Sequence, residues 1–183
     1  MISHATALEE LAAAQARTRK LWLPPPDITI EEWASSKRVL PSQSGRPGQW
    51  KADPIQREIQ ESCCDPKVRE VVFMKATRLG WSEICNNTLG WGIDIHAMSM
   101  LMLQPSRDTA EDYCKERLEQ MIESTPALSS IVRLATSKSS GSTTRNKRFA
   151  NGGSFSVLSA GNPRELRSKR ARFVIQDEAD GYK

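Results

Sequence analysis

The amino-acid sequence predicts an α/β protein, a sheet flanked by helices, and three observations lead there. Short apolar runs at residues 70–74, 99–103 and 173–176 alternate with longer stretches of helical periodicity, which favours an α/β sheet over a helical bundle. The last run, Phe173-Val-Ile-Gln176, ends in two adjacent acids, Asp177 and Glu178, as a buried strand does when its carboxyl edge carries a site. The first run, Glu70-Val-Val-Phe-Met74, leads through a loop containing Gly80 to Ser82, a hydroxyl residue at which a helix can start.

Residues 5–22 carry an incomplete apolar stripe (Leu8, Leu11, Ala12, Ala14), with Arg17, Arg19 and Lys20 toward the end, where cations complement a helix dipole. Pro24-Pro-Pro26 stops that helix and acts as a stiff spacer. Thr29 can cap a short second helix with Glu31 and Glu32 in its first turn. Residues 41–48 hold two prolines, two glycines and serines and read as loop, which sets the start of the core domain near Trp50. Pro54 opens a helix that ends by Asp65-Pro66, and the strand 70–74 follows. A helix from about Ser82 is poor by propensity, since it contains Asn86, Asn87 and Gly90. After a strand at 99–103, Ala110, Tyr113, Cys114, Leu118, Met121 and Ile122 fall on one helical face, and Pro126 marks the end. Residues 137–144 are a Ser/Thr/Gly-rich loop. Residues 147–150 and 154–158 flank Asn151-Gly-Gly153, a hairpin signal, and the Asp-Glu strand is the last element.

Composition narrows the class. The chain is 38% hydrophobic without a long apolar run, so no membrane span is expected, and its N-terminus lacks a secretory apolar segment. Cys63, Cys64, Cys85 and Cys114 show no C-x-x-C spacing and the only histidines are His4 and His96, so the sequence predicts free thiols in a reducing compartment and no zinc site. The net charge of +4 conceals an asymmetry: residues 133–172 hold ten Lys/Arg and one acid, Glu165, leaving the rest of the chain at −5. Positive charge concentrated in this way suits a polyanion, either nucleic acid or a neighbouring subunit's nucleotide.

The first loop approximates a phosphate-binding loop. The standard pattern is G-x-x-x-x-G-K-[ST], in which backbone N–H groups cradle phosphates, a lysine reaches the outer phosphates and a hydroxyl meets Mg²⁺. In Lys75-Ala76-Thr77-Arg78-Leu79-Gly80-Trp81-Ser82, Gly80 and Ser82 fill the second-glycine and hydroxyl positions, Trp81 occupies the lysine slot, and Lys75 stands where the first glycine belongs. The cation has moved from the end of the loop to its start, and both Lys75 and Arg78 are candidates for it. About a hundred residues on, Asp177 is the candidate to hold Mg²⁺, directly or through water, and Glu178 to orient an attacking water.

These segments together resemble the ATPase domain of tailed-phage terminase large subunits, specifically the lambda-type branch. The resemblance is carried by Gln56 in Pro-Ile-Gln-Arg-Glu-Ile59, by the displaced-lysine loop, by Leu-Met-Leu-Gln-Pro-Ser106, and by the run from Asn162 to Arg172 leading into Val-Ile-Gln-Asp-Glu-Ala-Asp180, and it covers roughly residues 50–183. It implies a phosphate-loop NTPase sheet of the ASCE type, incomplete at the C-terminus because such folds carry further strands after the Asp-Glu strand, and preceded at 1–49 by a helical extension placed where the family docks its small subunit. It implies ATP and Mg²⁺ as cofactors, an ATPase that drives double-stranded DNA into a procapsid through its portal, a homo-oligomeric ring when assembled, and a place in the host cytoplasm. Residue by residue, Gln56 corresponds to the adenine-reading glutamine, Lys75 to the phosphate lysine, Ser82 to the Mg²⁺ hydroxyl, Asp177 and Glu178 to the Walker B pair, and Arg167 to an arginine that reaches a neighbour's γ-phosphate. Nothing in the chain corresponds to the family's nuclease domain.

Two other readings remain at this stage. Asp177-Glu-Ala-Asp180 also spells the box of superfamily-two helicases, although those keep the loop lysine in its usual slot. The basic segment together with the N-terminal helix equally suits a non-catalytic module that binds nucleic acid or a partner.

Overall fold

The computed structural model of the chain describes Gln15 and residues 24–131, 143–167 and 169–182. Apart from Gln15, the expected helix at 5–22 therefore lies outside the described residues, as do positions 137–142 of the expected Ser/Thr/Gly-rich loop. The elements in chain order are α1 (Ile30–Lys37), β1 (Val39–Leu40), β2 (Gly48–Gln49), α2 (Pro54–Cys64), α3 (Trp81–Asp94), β3 (Ser99–Gln104) and α4 (Arg107–Tyr113). A π-helical turn (Cys114–Leu118) joins α4 to α5 (Glu119–Ser124), followed by α6 (Pro126–Ser129), β4 (Asn146–Arg148), β5 (Ser154–Ser159), α7 (Pro163–Leu166) and β6 (Phe173–Gln176). No helix among the described residues is long and apolar enough to cross a membrane.

The predicted α/β architecture is present. The main sheet has the order β4-β5-β3-β6, with β5 and β6 both parallel to β3 and β4 antiparallel to β5. In β3, Met100, Leu101 and Met102 are all buried, so this central strand is covered on both faces, as a near-continuous apolar run requires. The hairpin expected around Asn151-Gly-Gly153 is the β4–β5 pair, with Phe155 facing Lys147.

The strand expected at 70–74 does not form. Its side chains alternate as a strand's would: Val71 and Phe73 are half-buried, whereas Val72 is 84% and Met74 97% exposed. No described strand pairs with it. Apolar alternation alone does not fix a strand, because ordering the backbone costs about 1–2 kcal/mol per residue and only a hydrogen-bonded neighbour offsets that. The Asp-Glu strand β6 forms where expected; among the described residues it pairs with β3 along one edge only, and Val174 is 48% exposed.

The N-terminal side of the core rests on α1. Thr29 Oγ1 accepts from Glu32 N–H at 3.1 Å, and the Glu32 carboxylate accepts from Thr29 N–H at 2.7 Å, a reciprocal cap that fixes where the helix begins. This helix precedes Trp50, yet Ile30, Trp33 and Ala34 are fully buried in the same core as α3 and the sheet. Gly90 explains how a helix of poor propensity survives there: a Cβ at that position would fall inside the Trp33 indole. The glycine costs about 1 kcal/mol of helix propensity, whereas an indole burying roughly 200 Å² contributes on the order of 5 kcal/mol at ~25 cal/mol/Å², so packing wins. Asn86 and Asn87 are buried for a similar reason, the first accepting from Tyr113 Oη–H at 2.6 Å and the second from the Arg38 guanidinium.

Candidate functional site

The acid end of the site is built by β6 and β3 in register. Leu103 lies opposite Gln176, and Asp177 N–H continues the ladder by donating to Leu103 C=O at 3.1 Å. This sets Asp177 beside Gln104, the last residue of β3, whose Nε2 donates to Asp177 Oδ2 at 3.2 Å. The other carboxylate oxygen, Oδ1, accepts from Trp81 Nε1–H at 2.8 Å. The carboxylate is buried and is held by two neutral donors, and no cation among the described residues forms an ion pair with it. Glu178, the next residue, is exposed and adopts a left-handed conformation (φ 50°, ψ 47°) that a non-glycine residue holds only at a cost of about 1–3 kcal/mol.

The loop side contrasts with this. Residues 75–79 are all exposed, and neither Lys75 nor Arg78 has an ion-pair partner among the described residues. The chain turns at Thr77 and Arg78; Arg78 (φ 66°) and Gly80 (φ 76°) are both left-handed. Apart from that turn, the backbone N–H groups of residues 75–79 find no backbone acceptor among the described residues. Helix α3 begins at Trp81, so Ser82 sits in its first turn, half-buried.

Buried groups nearby feel the Asp177 carboxylate, and one of them the loop as well. Burial pushes the Cys85 thiol well up; the Asp177 carboxylate adds to that and the Lys75 ammonium opposes it. Burial likewise raises the Tyr113 phenol, with Cys85 and Asp177 adding and Arg38 opposing. The first turn of α3 is fixed from beneath by Arg38, whose buried guanidinium meets the Glu83 carboxylate and donates to Glu83 C=O at 3.2 Å.

Gln56 lies against the loop with its carboxamide turned into the protein. Its Oε1 accepts from Asp53 N–H at 3.2 Å, and its Nε2 sits 3.5 Å from Leu79 C=O and so close to Gly80 that a Cβ there would collide with it. In the basic segment, Arg145 pairs with Glu165 at 2.8 Å and Lys147 with Glu119 at 2.7 Å, so part of the charge is balanced within the fold. The Arg145 guanidinium holds the Glu165 carboxyl below its ordinary range. Arg164, Arg167, Arg170 and Arg172 are exposed, with Arg167 immediately after α7.

A cleft of about 500 Å³ opens where β3 and β5 end, lined by Pro105, Ser106, Arg107, Ser159, Asn162 and Glu165 among others, and none of the sequence-predicted site residues lines it. Among the described residues no three His, Cys, Asp or Glu side chains gather as a metal cluster. Ser82 and Asp177, the residues the sequence offers for Mg²⁺, carry hydroxyl and carboxylate oxygens, the hard donors that such a cation takes. The sequence places Trp81 among the nucleotide-binding residues 75–82, in the usual lysine slot, and assigns Gln104 no role. Their signals were present: a large donor-only side chain in the lysine slot, and a polar residue closing an apolar strand next to the Asp-Glu strand.

Comparison with known proteins adds to this geometry. The family described as "Phage terminase large subunit gpA, ATPase domain" matches residues 44–183. The chain is 27% identical over 183 residues to a "Terminase, large subunit" of Enterobacteria phage P21, covering all of this chain and 28% of that protein. It is 28% identical over 169 residues to the protein of the same description in Escherichia phage lambda, covering 92% of this chain and 26% of the relative. The chain thus spans little more than a quarter of the length of these relatives.

Proposed function

The chain belongs to the phage terminase large-subunit gpA ATPase-domain family, with its phosphate-loop mixed sheet flanked by helices, and from that premise we propose that it binds and hydrolyses Mg–ATP to power the packaging of double-stranded DNA into a procapsid. One observation carries the reading: the Trp81–Asp177 hydrogen bond joins segments 96 residues apart at one rim of the sheet, uniting the exposed loop with a buried carboxylate. A triphosphate needs both, one to receive its negative charge and the other to bring a divalent cation to it.

In this proposal residues 75–82 wrap the phosphates with backbone N–H groups, and Lys75 supplies the cation, with Arg78 the rival for that role. Bound Mg²⁺ would neutralise charge on the outer phosphates, and Ser82 and Asp177 are the residues that would hold it. Glu178 orients the attacking water, and its strained backbone supports a role that packing alone does not demand. Gln56 reads adenine, which requires its carboxamide to exchange its present partners Asp53 and Leu79 for the base. Arg167 reaches a neighbouring subunit's γ-phosphate in a homo-oligomeric ring, a contribution worth roughly 10³–10⁵ in rate where such fingers operate. Residues 1–49 dock a DNA-recognising small subunit, the ring meets the portal, and the work is done in the host cytoplasm. The lambda-type assignment rests on the displaced lysine at position 75.

The test is titration of the chain with a fluorescent ATP analogue in Mg²⁺. Lys75→Ala is expected to weaken binding by about tenfold or more, the order of one charge-assisted contact. The chain by itself is expected to turn over ATP weakly, and in a full-length version Glu178→Gln should leave binding intact and abolish turnover. Equal affinity in wild type and Lys75→Ala would remove the lysine from the site, and absence of any Mg-dependent binding would overturn the reading as a whole.

A further inference from the structure

We propose that Trp81 and Gln104 are positioning residues that orient the Asp177 carboxylate for a divalent cation, with Trp81 doing from the usual lysine slot what a cation there could not. The inference rests on the reading of Asp177 as the metal carboxylate. Each Asp177 oxygen accepts one neutral N–H bond, from Trp81 Nε1 at 2.8 Å and from Gln104 Nε2 at 3.2 Å. A carboxylate oxygen offers about two acceptor sites, so each keeps one free for a metal or its bound water. A lysine or arginine in the same place would orient the acid equally well, but it would cancel the charge that attracts the metal. Indole N–H and carboxamide N–H fix the geometry and leave the negative charge in place.

Both donors are themselves held. The Trp81 ring packs against Phe73, with centroids 5.8 Å apart and an interplanar angle of 33°. Gln104 is 4% exposed and ends the central strand, and its backbone C=O accepts from Ala160 N–H at 2.8 Å. Indole nitrogen is a donor only, so it can hold Asp177 in one sense alone. Trp81 also opens α3 directly after the loop, which ties the end of the loop to the carboxylate.

The test uses Mn²⁺ as a spectroscopic stand-in for Mg²⁺, its binding to the full chain followed by electron paramagnetic resonance with saturating ATP analogue. Trp81→Phe keeps the aromatic contact and removes only the N–H; Gln104→Met removes the second donor at similar volume. Each is expected to weaken Mn²⁺ roughly tenfold, the lower end of the effect of losing a partner that orients a metal ligand. For Gln104→Met, which lies outside the phosphate loop, nucleotide affinity measured without metal should not change, a split that a general loss of structure would not produce. If wild type binds Mn²⁺ and both variants match it, the positioning role is overturned while the nucleotide site stands. If wild type with bound nucleotide takes up no Mn²⁺, the reading of Asp177 falls and this inference falls with it.

Discussion

The two sides of the candidate site are organised in opposite ways. Asp177 is buried, continues a strand ladder, and has each carboxylate oxygen bonded to a fixed donor. The segment 70–79, to which the proposed function gives the phosphate contacts, has no ladder among the described residues, leaves Val72 and Met74 in solvent, and exposes Lys75 and Arg78, neither of which has an ion-pair partner among the described residues. Residues 80–83 join the two: Gly80 leaves the loop, Trp81 touches the acid, and Glu83 locks onto buried Arg38. The contrast teaches that the geometry around Asp177 is set by the folded core, whereas the core holds residues 70–79 through few contacts; in the proposed function these are the metal side and the phosphate side.

If so, substitutions should rank by how far they reach into the held side. The largest effect is expected at Gly90, in the body of α3, where any side chain meets the Trp33 ring. Gly90→Leu should destabilise the chain by about 3 kcal/mol, the upper range for overpacking a dense core, read as a shift of the urea midpoint at constant slope. A loss under about 1 kcal/mol would mean that α1 can move off α3, and that the held side is softer than its burial indicates.

The same contrast explains what could be read from the sequence. The strands at 99–104, 154–159 and 173–176 were legible because each apolar run sits where a neighbour pairs with it, and the Thr29 cap because its chemistry is local. The strand at 70–74 was misread because period-2 alternation says which way side chains point and not whether a partner strand exists. In the candidate site, the acids and the loop glycine were visible as types in order. The pairing of the donors with Asp177 was not, because Gln104 meets it through the register of β3 against β6, and Trp81 reaches it from the first residue of α3, 96 residues away in the chain.

A middle-sized effect is expected at the junction. Gly80 has φ 76°, where an L side chain costs roughly 1–2 kcal/mol, and its missing Cβ makes room for the Gln56 carboxamide. Gly80→Ala should therefore cost about 1–2 kcal/mol in stability and should also weaken ATP-analogue binding, since Gln56 and the loop must both shift. Lost stability with unchanged nucleotide affinity would detach the junction from the phosphate side.

The smallest effect tests the open side directly. Val72 and Met74 are 84% and 97% exposed, so neither contributes appreciable burial to the folded state. Replacing both with serine should change stability by no more than about 0.5 kcal/mol, as for surface positions without special contacts, and the urea midpoint measures it. A loss well beyond that would show that residues 70–74 pack against something in solution, and the two sides of the site would then be held alike.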